Sequence, residues 1–551
     1  MKRLFRIGTA LIALVLALAA TSCGKDGKGA KAEGDDYPIT ISVFTIQNQQ
    51  QPPADNKIYK WIKERFNVEF TWDIAVGEKD QKIGVLIASG DYPDLLNVDS
   101  LKFIDAGALI PLEDLIEEHA PRLKKKYASA WEKMREADGH IYCLPNWGIL
   151  DGRDQSSWYG DSAMWIQKEV LKEFGYPKVT TVEDYFGIIE KYKNKYPTIE
   201  GMPTIGYSIL TYDWRVFCLI NPPNFLAGYP NDGNCAVDPV TKKAKLNLTQ
   251  DYSKRWFKTL NEMNQKGLVD RASFVDNYDQ YMAKLSSGRV LGLHDQYWNF
   301  QNATNSLISQ GMYNRSMAPL PIVFDESIRP RYRNDHLPNL QRGYGISVNA
   351  KDPVRIIKFL DAQLAEDAQK VFSWGVKGED YLVGDDGVPY RTQEMRDQQE
   401  DPTWILRNKA KLWYEDAPKL LGSYSDGNPV ELNYLPKELI AGAKPEDVEL
   451  WNAYGVSSNA ELMDRNPPKN EVWFPMWQVA TPDGSAAQIA WSKIDTVYRK
   501  HLPGIILADP ADFEKLWADY VKAVKDAGED DYVAFVQAAL DERIAKWTPK
   551  K

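Results

Sequence analysis

Cysteine and histidine are both scarce. The 551-residue chain has four cysteines, Cys23, Cys143, Cys218 and Cys235, and five histidines. Four thiols over this length make no disulfide framework, and no pair has CxxC or zinc-ligand spacing. Cys218 and Cys235 leave two readings open, a bridge in an exported chain or two buried free thiols. His119, His140, His294, His336 and His501 form neither HExxH nor another metal-ligand pair, so no metal site is expected and each reads as a surface or satisfied histidine. Also missing are GxSxG, GxxxxGK[ST] and a GxGxxG following a strand; Gly343-Tyr344-Gly345 has only two of the dinucleotide glycines. Asn231-Asp232-Gly233-Asn234 reads as a turn and lacks the twelve-residue EF-hand layout. Carboxylates are too numerous for spacing to select a glycosidase pair. Binding therefore stands ahead of catalysis, with no cofactor expected.

Positive charge is in deficit. The 67 Lys and Arg stand against 77 Asp and Glu, a net charge of −10, which repels phosphate backbones and disfavours nucleic acid as a partner. At 44% apolar and 26% charged residues the composition is that of a globular protein. Length alone suggests three or four units at roughly 150 residues each. It also suffices to bury a core without disulfide or metal staples. What is abundant is aromatic: 18 Trp and 29 Tyr.

One long apolar run exists. Lys2, Arg3 and Arg6 precede the stretch from Ile7 to Ala20, which has the form of a secretory signal. It leads into Ala20-Thr21-Ser22-Cys23, which resembles the bacterial lipobox except that Ala20 stands where Leu is usual. The expectation is a signal peptide over 1–22, diacylglycerol on Cys23, and a flexible tether over 23–36, since 24–36 is small, charged and without apolar periodicity. An ordinary signal peptide with an incidental cysteine is the alternative. Export excludes functions that need cytosolic nucleotides.

Along the body, Ile39 to Phe44 alternates like a strand, and Ile58, Trp61, Ile62 and Phe66 mark a helix capped by Asp55 or Asn56. Strands are expected over Val68 to Ile74 and Leu95 to Val98, with a helix from Lys82 to Ser89 stopped by Gly90. Met164 to Phe174 is expected to be helical, ending at Gly175. Thr181 to Asp184 has capping-box spacing. Helices follow from Asp251 to Gly267 and from Asp512, the cap, to Gly528, with 532–546 as an antiparallel partner of the latter. This alternation predicts an α/β chain with a mostly parallel sheet. No internal repeat is visible.

Aromatic residues beside polar ones gather at expected strand ends. The groups are Asn146, Trp147, Asp151, Arg153, Trp158 and Tyr159, then Asp295-Gln296-Tyr297-Trp298 after the strand Val290 to Leu293, then Trp374-Gly375 and Trp473 to Trp477. Open α/β sheets bind ligands at the carboxyl ends of their strands. An indole or phenol face packs on the C–H face of a sugar ring while Asp, Asn, Gln and Arg bond its hydroxyls.

Several segments, in order, are similar to one family. They are the lipobox, residues 88–94 (ASGDYPD), 107–112 (GALIPL), 138–145 (DGHIYCLP), 165–175 (WIQKEVLKEFG), 343–347 (GYGIS) and 374–381 (WGVKGEDY). Together they resemble the extracellular solute-binding lipoproteins of bacterial ABC transporters, of the carbohydrate-type, family 1-like kind. His140 and Cys143 stand where Lys and Gly are more usual. The resemblance implies a two-lobed, periplasmic-binding-protein-like α/β fold of type II with the ligand cleft between lobes. By analogy 37–150 and 336–376 would form one lobe, and 151–335 and 377–551 the other. It implies a monomeric receptor that closes on a carbohydrate, an oligosaccharide, and presents it to permease subunits from a lipid anchor at the outer face of the cytoplasmic membrane. The ligand-binding set it implies is Gln47, Asn48, Asp99, Asn146, Trp147, Asp295, Tyr297 and Trp298, with Trp158, Tyr159, Trp214, Trp374 and Trp477 as further wall residues; Asp151 and Arg153 join the candidate set from the aromatic-polar group above. An exported polysaccharide-active enzyme, or a sensor partner of a membrane kinase, are the other readings.

Overall fold

The computed structural model describes residues 37–47, 49–98, 101–146, 157–334, 340 and 342–548. The expected signal peptide, Cys23 and the tether lie outside these residues. Two sheets organise the chain. Their strands are β1 (Ile39–Thr45), β2 (Val68–Ile74), β3 (Leu95–Val98), β4 (Leu144–Pro145), β5 (Ser162–Gln167), β6 (Ile205–Ser208), β7 (Val290–Gln296), β8 (Met317–Leu320) and β9 (Gly343–Ile346). The helices used below are α1 (Lys57–Phe66), α2 (Val182–Lys195), α3 (Asp251–Gln265), α4 (Tyr297–Ser309), α5 (Pro353–Ala362), α6 (Ala486–Leu507), α7 (Phe513–Asp526) and α8 (Glu529–Trp547).

The first sheet has the order β2-β1-β3-β9-β4. β1 runs parallel to β2, from Ile39 opposite Val68 to Thr45 opposite Ile74, and parallel to β3, whereas β9 is antiparallel to both β3 and β4. α1 crosses between β1 and β2 because Asn56, one of the two expected caps, accepts from the amides of Ile58 and Tyr59. Its side-chain amide also donates to the carbonyls of Leu406 and Lys409, tying a distant segment to the start of α1. Ile58, Ile62 and Phe66 of α1 pack with Ile41, Val43 and Phe359 in one core. Ala410, Trp413 and Ala417 belong to the same core. The stretch around them was expected with the second lobe; it packs instead on the first sheet, because the indole of Trp413 lies between Phe70 and Tyr344.

The second sheet has the order β8-β5-β7-β6. β7 is parallel to β6 and antiparallel to β5, which is also antiparallel to β8. Both sheets are thus mixed, not mostly parallel. Thr181 and Asp184 form the expected capping box of α2, and the Tyr185 hydroxyl donates to the carbonyl of Trp165 at 2.6 Å. A side chain at Gly292 would come within 2.3 Å of that hydroxyl, so mid-strand glycine is required for α2 to seat on β7. The expected helix from Met164 to Phe174 is corrected: Ser162–Gln167 is a strand and only Lys168–Glu173 is helical. Every residue of that strand is buried, so it lacks the alternation that marks a half-exposed strand.

α6, α7 and α8 close the chain, and α7 and α8 each pack more extensively on α6 than on one another. Their inner faces, including Ile494, Tyr498, Trp517, Tyr520 and Leu540, belong to the second core with Trp256 and Phe257 of α3. Asp512 makes no side-chain cap bond; Asp509 caps the short turn before α7 instead. Cys143, Cys218 and Cys235 are buried free thiols, which decides between the two readings of Cys218 and Cys235. No helix among the described residues is long and apolar enough to cross a membrane.

Candidate functional site

The carboxyl end of β7 is built around Asp295. Its carboxylate is buried and accepts from the Tyr281 hydroxyl (2.8 Å), the Gln296 amide (2.7 Å) and the Asn299 side chain (3.0 and 3.1 Å). Burial pushes the carboxyl up to about 6, against these hydrogen bonds. With its oxygens engaged, Asp295 holds the turn from β7 into α4 and is not open to a ligand, which corrects its assignment as a contact residue. The neighbouring His294 is buried against Phe225, and burial holds its imidazole down to about 3, so it is neutral at pH 7.

Around this turn three indoles are partly exposed. Trp298, 43% exposed, has its ring N–H bonded to Gln296 Oε1 at 2.6 Å. Trp214, 59% exposed, sits on the turn that follows β6 and stacks on Trp298 with centroids 5.9 Å apart and planes 9° apart. Phe217 supports both rings from beneath, at 5.9 and 6.2 Å. Trp158, 48% exposed, lies just before β5 and meets Tyr297 edge-on at 6.0 Å. Its ring occupies the space above Gly160, where a Cβ would fall 1.7 Å from an indole carbon. Tyr297 itself is half-buried and props Trp158, its amide donating to the Gly160 carbonyl at 3.0 Å. The carboxyl ends of β6 and β7 and the amino end of the antiparallel β5 coincide, so these rings share one edge of the second sheet.

The corresponding edge of the first sheet is polar. Gln47, beyond the end of β1, donates to both carboxylate oxygens of Asp416 at 3.2 and 3.0 Å. Asn146, beyond β4, donates to Asp416 at 3.2 Å and to the Glu415 carbonyl at 2.7 Å. Arg342, before β9, is ion-paired with Asp416 at 3.2 Å. Asp416 is fully buried at the centre of this set, and burial raises its carboxyl above the ordinary value despite Arg342 and Gln47. Asn146 Oδ1 and Arg342 Nε are buried without a hydrogen-bond partner among the described residues. Each is a polar atom for which a solute hydroxyl is a suitable partner.

The two edges are ends of the same connections. The chain passes from Asn146 to Ser157 and from Asn334 to Arg342, and the Asn146 amide faces the Arg342 carbonyl at 3.4 Å. Asn146 and Arg342 are thus neighbours at the polar edge, and Ser157 directly precedes Trp158 of the aromatic one.

Of the residues expected at the site, Gln47 and Asn146 meet on the polar edge, and Trp158, Trp214, Tyr297 and Trp298 on the aromatic one. Tyr159 does not join them: it is buried, its hydroxyl donating to the Ser162 carbonyl at 2.5 Å and directed also at that of Tyr332 at 3.3 Å. Nor does Trp374, which is buried in a satellite core with Tyr381, Tyr424 and Val430 and bonds the Val430 carbonyl at 2.8 Å. Both are packing residues, because each spends its one donor on backbone inside a core. Trp477 is 48% exposed but lies on the short turn Met476–Gln478, close against Gly233. Asn48, Asp99, Trp147, Asp151 and Arg153 lie outside the described residues. Sequence reasoning missed Arg342 and Asp416; the first stands beside the recognised 343–347 segment, while nothing in the run around Asp416 marks it. No cluster of three or more metal-ligating side chains exists among the described residues.

The model of the family "bacterial extracellular solute-binding protein" matches residues 57–373. The chain is 26% identical over 563 aligned positions to the fructooligosaccharide ABC transporter substrate-binding protein FusA of Streptococcus pneumoniae, covering 98% of each chain. It is 22% identical to the polygalacturonan/rhamnogalacturonan-binding protein YtcQ of Bacillus subtilis, over 71% of this chain and 77% of that one. Among solved structures it is similar to an S. pneumoniae FusA EF-hand mutant in complex with fructo-nystose, with a TM-score of 0.65 and 20% identity over 92% of this chain and 100% of that one.

Proposed function

Since the chain belongs to the bacterial extracellular solute-binding proteins, we propose that it is the capture subunit of an ABC importer and that its solute is an oligosaccharide. The observation that carries the sugar assignment is the presence of three half-exposed indoles, Trp158, Trp214 and Trp298, at one edge of the second sheet, with amide, guanidinium and carboxylate groups at the corresponding edge of the first. Indole faces stack on the apolar faces of pyranose or furanose rings, and amide and guanidinium groups bond hydroxyls. The named solutes of FusA and YtcQ, fructooligosaccharide and polygalacturonan/rhamnogalacturonan, support the same class.

The mechanism follows from the two edges. A solute held by one sheet gains nothing from closure; a solute touched by both stabilises the closed state. Driving a hinge from mostly open to mostly closed takes about 5.5 kcal/mol of differential affinity. Stacking on the second sheet and hydrogen bonds to Gln47, Asn146 and Arg342 on the first supply it jointly. The closed form is then the surface that the permease reads. No covalent bond is made or broken in this cycle, and no residue is assigned a catalytic role. In this reading one lobe comprises 37–150 and 336–376 together with the Ala410 to Ala417 stretch that packs on it, and the rest of 151–551 forms the other.

Calorimetric titration of the mature chain with fructo-, galacturono- and other oligosaccharides should give a saturable dissociation constant of about 1 μM or tighter for at least one of them. Heats indistinguishable from dilution across the panel would reject the carbohydrate assignment and leave the family intact. The lipobox-like run supports attachment through lipid on Cys23, with a monomeric body on a short tether outside the membrane. Expressed in a bacterial host, the chain should fractionate with membranes and Cys23→Ala should be soluble; equal partition of the two would remove the anchor.

A further inference from the structure

Of the three platform indoles, Trp214 is held in the least regular way. The residue before it, Asp213, has φ of 48°, a left-handed conformation that a residue with a Cβ rarely adopts. A turn of this kind persists only when its surroundings over-determine it. Two guanidinium groups do so. Arg215, next to Trp214, is ion-paired with the Asp213 carboxylate, donates to Asn299 Oδ1 at 3.1 Å, and lies 4.8 Å from the Trp214 ring centroid. Arg499 comes from much further along the chain, on α6. Its fork donates to the Thr211 carbonyl at 3.2 Å and to the Asp213 carbonyl at 2.6 Å. Its Nε is bonded to Asp495 one turn earlier at 2.8 Å, so all three guanidinium nitrogens are engaged.

The base of this strut is rigid. Ile494, Tyr498 and Leu502 of α6 are buried in the second core, on either side of Arg499 in sequence. A planar fork with fixed donor directions can hold two carbonyls of a strained turn at once, which a flexible ammonium group cannot. Trp214 rests on Trp298 in this arrangement, and a platform ring held in place by the chain's own contacts carries less ordering cost on binding.

We propose that Arg499, oriented by Asp495, is a positioning residue for solute binding: it locks the turn at Asp213 so that Trp214 stays stacked on Trp298. It would touch no solute itself. The proposal rests on the reading of this edge as a sugar platform, and its test separates the two. Wild type, Arg499→Met, Trp214→Ala and the double variant are titrated with the fructo-oligosaccharide kestose, and their ligand-free near-ultraviolet circular dichroism is recorded. Arg499→Met is expected to raise the dissociation constant about tenfold in the wild-type background and by no more than about twofold in the Trp214→Ala background. Its ligand-free spectrum should move toward that of Trp214→Ala, and Arg499→Lys should recover only part of the affinity. Equal weakening in both backgrounds, or full recovery by lysine, would overturn the role. If kestose does not bind wild type, that sugar is excluded and the spectrum decides alone: an unchanged spectrum in folded Arg499→Met overturns the proposal, and a shift toward Trp214→Ala upholds it.

Discussion

Trp298→Ala is expected to weaken solute binding by about 2 kcal/mol, roughly thirtyfold in dissociation constant. Within the platform Trp298 touches Trp214 and Phe217, with its N–H already committed to Gln296. Truncation removes the stacking face and also leaves Trp214 without its neighbour, so the loss exceeds that of one sugar contact. Trp477→Ala is the matched comparison. Trp477 has similar exposure but sits on the Met476–Gln478 turn against Gly233, and its removal should change affinity by less than about twofold. Calorimetry on the two variants with the same oligosaccharide checks both values. Unchanged affinity in Trp298→Ala would take the platform away from the solute, and a large loss in Trp477→Ala would relocate the site.

The largest effect on stability should come from Trp413→Ala. This indole is fully buried, 4.6 Å from Phe70 and 5.2 Å from Tyr344 by ring centroid, and its N–H donates to Gln363 Oε1 at 2.8 Å. Deleting a buried indole costs about 3–5 kcal/mol through lost transfer energy and the cavity left behind. It also leaves an amide oxygen unpaired. Urea denaturation should register a loss in that range. Trp413→Phe, which keeps much of the ring packing, should recover a substantial part. A loss below about 1 kcal/mol would show that this segment does not belong to the first core. Because Asp416 lies one turn further on, the same variant should also weaken the hold on Gln47, Asn146 and Arg342.

Much of the local architecture was legible because local signals suffice for it. Asn56 caps α1, Thr181 and Asp184 form their box, and β1, β2 and β3 appear where alternation or a short apolar run marks them. The strand Ser162–Gln167 was not legible, since a strand covered on both faces carries no period and runs straight into a helix. The site was half legible. Asn146, Trp158 and Trp298 follow from aromatic-polar neighbours at expected strand ends, and Gln47 and Trp214 only from the family resemblance. Asp416 and Arg499 do not, because each acts on residues reached only through the fold: Asp416 on Gln47, Arg499 on Asp213.

Read alone, the sequence determined the class of the protein: strands and helices in alternation, and the family-like segments that recur in order. These are properties of chain-local chemistry and survive without coordinates. Only the tertiary structure decided which aromatic residues face outward. Tyr159, Trp374 and Trp413 look no different in sequence from Trp158, Trp214 and Trp298, yet the first three are buried and the others stand at a sheet edge. Burial is the sum of contacts with residues distant along the chain, as Trp413 between Phe70 and Tyr344 demonstrates, and no window of neighbouring residues contains that sum.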